Sequence, residues 1–170
     1  MKRTALTRRT PLGASKRTAK APSRTKTYIP PAWFMAVKPG AHGNSPAQKR
    51  LWRLVSEYVR QRDFKKYHGK CVSCSKTLDS WQDGQAAHFK PWSVCNGSFK
   101  YNVDNLALSC YFCNMNSGAD IGYRFGEEMK RRHGKNHLDW IEKQNLKHRS
   151  EKLDVLFCIE LAKPFIHIAD

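Results

Sequence analysis

The sequence predicts an α+β fold in which a short hairpin and helix are stapled together, flanked by helices on both sides and preceded by a basic arm. Three observations carry this. Two cysteine pairs, Cys71-Val72-Ser73-Cys74 and Cys110-Tyr111-Phe112-Cys113, bracket residues 75–109. Each pair can present two thiolates to one tetrahedral Zn²⁺ while the segment between them folds back to close the site. Apolar residues recur at helical spacing before the first pair and after the second. Charge is also uneven: the first 56 residues hold 13 of the 31 Lys and Arg and none of the 14 Asp and Glu, which leaves +13 there and +4 in the rest.

At 170 residues the chain fits one domain with a tail. A basic excess concentrated at one end expects a polyanion, nucleic acid first, because each phosphate neutralised by Lys or Arg releases condensed counterions. A solubilising tail is the plainer alternative. No run of about 18 apolar residues is present to span a membrane. Residues 1–27 are rich in Arg, Ser and Thr and free of acid, a composition that also suits a transit peptide, but their prolines and missing apolar stripe argue for a disordered arm. Four of the six cysteines stand in the CxxC pairs and Cys95 and Cys158 lack a sequence partner, which fits a reducing, cytoplasmic setting better than a disulfide framework.

In chain order, residues 28–44 read as a linker or surface segment: Tyr28 to Phe34 extended around Pro30-Pro31, then a loop from Lys38 to Gly43. Ser45, Pro46 and Gln48 carry a capping-box signature and open a helix to about Lys66. Leu51, Val55, Tyr58, Val59 and Arg62 line its inward face, and Trp52 reads as core. Asp83-Gly84 marks a turn before a strand from Gln85 to Lys90. Pro91 to Ser98 reads as a loop, and a second short strand lies near Leu106 to Leu108. Cys110 to Cys113 open a helix, Asp120 to His133 form another ended by Gly134, and Leu138 to Lys147 a short third. Ser150 is placed as the cap of a last helix, Glu151 to Lys163, stopped by Pro164. Its wide apolar surface suits core packing or, in a second reading, a homodimer contact.

One set of residues goes further: Tyr58 to Asp63, Cys71 to Cys74, Trp81, His88-Phe89, Tyr101, Asn105, Cys110 to Asn114, Ser117-Gly118, Tyr123, Arg132 to Gly134 and Ile141-Glu142. As a set it resembles the lambdoid phage NinG/Rap recombination endonucleases, within the zinc-stapled HNH (ββα-metal, treble-clef-like) endonucleases. The resemblance covers residues 54–142. The arm shows none of it, and the cysteine-bearing N-terminal segment of that family has no counterpart.

The resemblance implies an HNH-type nuclease domain over 45–170, with a zinc and catalytic core at 70–118 and C-terminal helices at 119–163. It implies hydrolysis of phosphodiester bonds in branched recombination intermediates, such as Holliday junctions and D-loops, with structural Zn²⁺ and catalytic Mg²⁺ or Mn²⁺, in the cytoplasm of a bacterial host. His88 matches the general base, Asn105 the residue that orients its imidazole, and Asn114 a ligand of the catalytic ion. Where many HNH enzymes carry a second metal ligand just before the base, this chain has Ala87. Water, phosphate oxygens or a carboxylate from Asp83, Asp104 or Asp120 then complete the ion, and His88 is itself an alternative ligand. The competing reading is a non-catalytic zinc-ribbon protein that binds DNA or RNA through the same cysteines and arm.

For DNA contact, Lys90, Trp92 and Lys100 combine charge with an aromatic ring, and Arg124, Lys130 and Arg131 form a basic helix face whose plainer reading is a solvated surface. No base-reading helix stands out, so DNA shape or branching is the expected target. His133 and His137, separated by a helix-ending Gly134, are a weak pair for a second metal. His42, His68, His148 and His167 fall in loops or ends. Cys95 reads as a buried free thiol and not a fifth zinc ligand. If the arm meets DNA through phosphates, deleting residues 1–27 weakens binding and flattens the plot of log affinity against log salt, which fluorescence anisotropy measures.

Overall fold

The computed structural model describes residues 29–40, 45–116 and 118–168; the arm and part of the 38–43 loop lie outside them. The first element corrects the expectation of an extended run to Phe34. After Pro31 the chain turns into a one-turn helix, α1 (Ala32–Ala36), which buries Phe34 completely.

Helix α2 (Pro46–Lys66) has the predicted bounds. Ser45 Oγ accepts from Gln48 N–H at 3.2 Å and Pro46 occupies the first turn, where no N–H is needed. Leu51, Trp52, Leu54, Val55 and Val59 are buried along one side, each worth about 1.5–3 kcal/mol on the usual transfer scale. Against this side lies an antiparallel hairpin of β1 (Gly84–His88) and β2 (Leu106–Cys110), in register His88 to Leu106 and Gly84 to Cys110. Strand alternation gives the sheet two faces. Ala86 and Leu106 join the α2 cluster, while Ala87 and Ala107 join a second cluster with Phe99, Phe125, Met129 and Ile141. A Cβ at Gly84 would run into Leu108 Cδ1 and Leu78 Cδ1, so a side chain there requires these two buried leucines to shift.

The chain between the strands forms short 3₁₀ turns at Trp92–Val94, Gly97–Tyr101 and Val103–Asn105. Directly after β2 come α3 (Tyr111–Met115), α4 (Ala119–His133), α5 (His137–Lys147) and α6 (Val155–Ala162). Gly134, at φ 101°, ends α4. The last helix starts four residues later than expected, because Glu151 is drawn away to Ser98 and His148 and the cap is Asp154, whose carboxylate accepts from Phe157 N–H at 2.8 Å. Nor does Pro164 stop the coil: α6 tightens into a 3₁₀ helix, Lys163–Ile168, whose start tolerates a missing N–H. Cys158, Ile159 and Ala162 pack on the α2 cluster, so α6 serves the core, with Val155 and Leu156 left at the surface.

A buried ion network ties α2 to the sheet and to α4. Asp63, with no exposed surface, accepts from Leu108 N–H at 2.9 Å and pairs with Arg62 at 2.7 Å and Arg132 at 3.2 Å. Arg62 also donates to the carbonyls of Val103 and Leu106. Asp63→Asn keeps the shape but removes the charge that compensates Arg132, and a cost of about 2 kcal/mol is expected in urea unfolding. On the other side of Arg132, the Arg131 hydrogen bonds outweigh burial and, with Arg132, hold the Glu128 carboxyl down at about 2. That contribution to stability is present above the ordinary carboxylate range and is lost as pH falls toward 2.

Candidate metal centre and the adjoining hairpin

Four thiols meet where the first knuckle crosses the end of the hairpin. Cys71 and Cys74 sit on a tight turn closed by Cys71 N–H to the Lys76 carbonyl and Ser75 N–H to the Cys71 carbonyl, and Val72 N–H reaches the Leu108 carbonyl on β2. Cys110 ends β2 and caps α3, its Sγ accepting from Cys113 N–H at 3.5 Å. The ligand atoms of Cys71, Cys74, Cys110 and Cys113 all lie within 4.8 Å of one another, and Cys74 Sγ is 3.8 Å from Cys110 Sγ. Zinc–sulfur bonds of about 2.3 Å in a tetrahedron set sulfurs about 3.8 Å apart, so the set fits Zn²⁺.

Electrostatics agree with that chemistry. Burial opposes ionisation of Cys71, but the backbone N–H groups of Cys110, Cys74 and Ser73 and the Ser109 hydroxyl outweigh it and bring its thiol down to about 6. Burial raises Cys74 and Cys113, and neighbouring thiols add to the rise at Cys113. One thiolate is thus favoured and further ones repel, which is the charge imbalance a bound dication removes. Cys95 stays apart, as expected of a free thiol. Its Sγ donates to the Lys90 carbonyl at 3.2 Å, and burial pushes it up to about 11.

His88 ends β1 on the α2 face. Its ring stacks on Trp52, with centroids 4.9 Å apart at 19°, and meets Trp92 edge-on. His88 Nε2 lies 2.9 Å from the Lys100 carbonyl. A carbonyl only accepts, so Nε2 carries the proton and, in the neutral ring, Nδ1 holds the lone pair. The imidazole is therefore oriented by Lys100. Asn105, fully buried, acts one step away: its Oδ1 accepts from Lys90 N–H at 2.8 Å, its Nδ2 donates to the Lys90 carbonyl at 3.1 Å, and its carbonyl accepts from Phe89 N–H. It clamps the chain as it leaves β1.

Asn114 projects from α3 toward β1, where its Nδ2 donates to Gln85 Oε1. Gln85 and Ala87 share the sheet face opposite His88, and three strand positions, about 10 Å, separate Gln85 from His88. The structure therefore joins His88 to Asn105 through the strand end, and Asn114 to Gln85 nearer the cysteines. Gln85, which sequence reading passed over, is the side chain that Asn114 meets; its position two before Ala87, on the same strand face, was the available signal. Of the carboxylates considered, Asp83 caps Ser80 N–H at 3.0 Å and Asp120 pairs with Arg124 at 2.9 Å. Asp104 lines a cavity with His133 and His137, whose rings stack 4.3 Å apart, and its carbonyl holds His137 Nε2 at 2.9 Å. Among the described residues the cysteine set alone groups three or more potential metal ligands.

A family model described as "Bacteriophage Lambda NinG protein" matches residues 2–164. The chain belongs to the NinG family. The match is wider than the 54–142 resemblance, for it takes in the basic arm and the C-terminal helices. No curated protein and no solved structure matches the chain.

The expected DNA contacts of this NinG-family chain are distributed unevenly. Lys90 is engaged by Glu142 at 2.6 Å, and Trp92 is packed in the α2 cluster with Lys100 Nζ 5.3 Å from its ring centroid. On α4, Arg124, Lys130 and Arg131 each pair with a carboxylate one turn away, Asp120, Glu127 and Glu128. Outward-facing rings occur elsewhere, at Tyr111 and Phe112 inside the second knuckle, 64% and 66% exposed. No helix among the described residues is long and apolar enough to cross a membrane.

Proposed function

We propose that this NinG-family protein is a metal-dependent endodeoxyribonuclease of the HNH type that cuts branched recombination intermediates such as Holliday junctions and D-loops. The observation that carries the reading is the Lys100 carbonyl on His88 Nε2, which selects the tautomer a general base requires. A water at Nδ1 gives up its proton to the ring as its oxygen attacks phosphorus, the P–O bond to the leaving deoxyribose oxygen breaks, and that oxygen takes a proton from solvent water. Asn105, by clamping Lys90, keeps the strand end and its imidazole in place. Hairpin, helix and cysteine cluster in the order β1, β2, α3 support a ββα-type arrangement.

A catalytic Mg²⁺ or Mn²⁺ would be held by the Asn114 carboxamide oxygen, a hard neutral donor that leaves water and phosphate oxygens to complete the shell, once Asn114 turns from Gln85 toward the strand end that carries His88. When bound it supplies charge stabilisation for the phosphate. Tyr111 and Phe112, not Trp92, offer rings to unpaired bases at a branch.

The second reading, a zinc-stapled nucleic-acid-binding protein without catalysis, draws on the packing of His88 between Trp52 and Trp92 and on the placement of Asn114 beside Gln85. One assay separates the two: purified protein with Mg²⁺ or Mn²⁺ on linear, flapped and four-way DNA. Cleavage of the branched substrates supports the nuclease, and binding without cleavage under any divalent ion supports the second reading.

A further inference from the structure

Beside Cys71 of the cysteine cluster, the end of α2, the first knuckle and the end of α4 line a cavity of about 440 Å³. Four cations from these three segments line it, Lys66, Lys70, Arg131 and Arg132, with one carboxylate, Glu128. Glu128 is already committed, to Arg131 at 2.6 Å and Arg132 at 2.8 Å, and Arg132 also reaches buried Asp63. Among the described residues, Lys66 and Lys70 enter no ion pair, whereas Arg124, Lys130 and Arg131 on α4 each have one. Tyr67 organises the group: the Arg132 guanidinium lies 3.8 Å from its ring centroid and Lys66 Nζ 5.3 Å, contacts that orient cations without neutralising them.

Basic residues at helix ends commonly do no more than complement the helix dipole. Convergence from three segments on one cavity, with Lys66 and Lys70 left over after Glu128 and Asp63 engage the arginines, makes the cleft attractive to an anion.

We infer that this cleft binds a phosphate group, and that in the working protein the group is a backbone phosphodiester of DNA lying across the zinc knuckle. The +13 carried by the first 56 residues gives the same chain a second phosphate-seeking segment, and a polyanion such as DNA is the source of phosphate that meets both. The inference rests on the DNA-binding part of the proposed function and is independent of catalysis.

The test uses the full chain, zinc-loaded, with four-way DNA followed by fluorescence anisotropy across a salt series. Lys66→Ala/Lys70→Ala is expected to reduce the slope of log affinity against log salt by about one, for the single phosphate no longer neutralised. Zinc content and melting stay at wild-type values because both side chains are exposed. Lys163→Ala, which removes a cation paired with Glu160, leaves the slope unchanged. A double variant with the wild-type slope overturns the cleft and spares the DNA-binding reading, and a wild type that binds no DNA overturns both. Calorimetric titration with inorganic phosphate covers the other source: saturable binding that the double variant abolishes, with an unaltered DNA slope, would make the cleft a free-phosphate site and overturn the backbone assignment.

Discussion

Cys110→Ser empties the metal centre and unfolds the hairpin–helix core. The substitution separates two roles of one residue. As the cap of α3, Cys110 Sγ accepts from Cys113 N–H, and a serine hydroxyl performs that task at least as well. As the last residue of β2, paired with Gly84, it also brings its sulfur to 3.8 Å from Cys74, and there only a thiolate serves. The fall in stability is therefore assigned to the metal and not to the cap. Structural zinc supplies on the order of 10 kcal/mol in small domains, comparable with the whole net stability of a domain this size. Wild-type protein is expected to carry one zinc per chain and to lose its melting transition on chelation, and Cys110→Ser to contain none and to show no transition. Cys95→Ser, whose hydroxyl can still donate to the Lys90 carbonyl, keeps its zinc. Full zinc and native melting in Cys110→Ser would remove Cys110 from the ligand set.

What the sequence made legible follows the range of the interactions involved. The start of α2 was readable because Ser45, Pro46 and the apolar spacing act within a few residues, and the cysteine set because ligand spacing is local to each knuckle. Glu127, Glu128, Lys130 and Arg131 stand three apart in pairs, so the neutralised face of α4 was also open to reading. Lys90 was not, since Glu142 lies 52 residues away. The late start of α6 likewise turns on Glu151 reaching Ser98 across the fold. Trp92 looked available for a base only because its neighbours Trp52 and Tyr101 come from other elements.

His88 shows the same division and carries the functional reading. Its place on a short strand was predicted, although that strand ends at His88 and not at Lys90, and the group that fixes its tautomer, the Lys100 carbonyl, belongs to a 3₁₀ turn with no signature of its own. His88→Ala is expected to lower cleavage of four-way DNA by ~10²-fold or more, the usual scale for a positioned general base. The ring also packs on Trp52, so truncation carries a packing cost that a melting curve measures separately. His88→Gln retains a donor toward Lys100 and much of the volume but supplies no base of suitable pKa. The catalytic reading therefore expects both variants to bind four-way DNA and zinc as wild type does, and both to lose cleavage. Asn114→Ala should cut poorly too, yet recover in part at high Mn²⁺, because its loss is of ion affinity and not of proton transfer. Cleavage at the wild-type rate by folded His88→Gln would remove His88 as the base, and with it the nuclease mechanism built on the Lys100 contact.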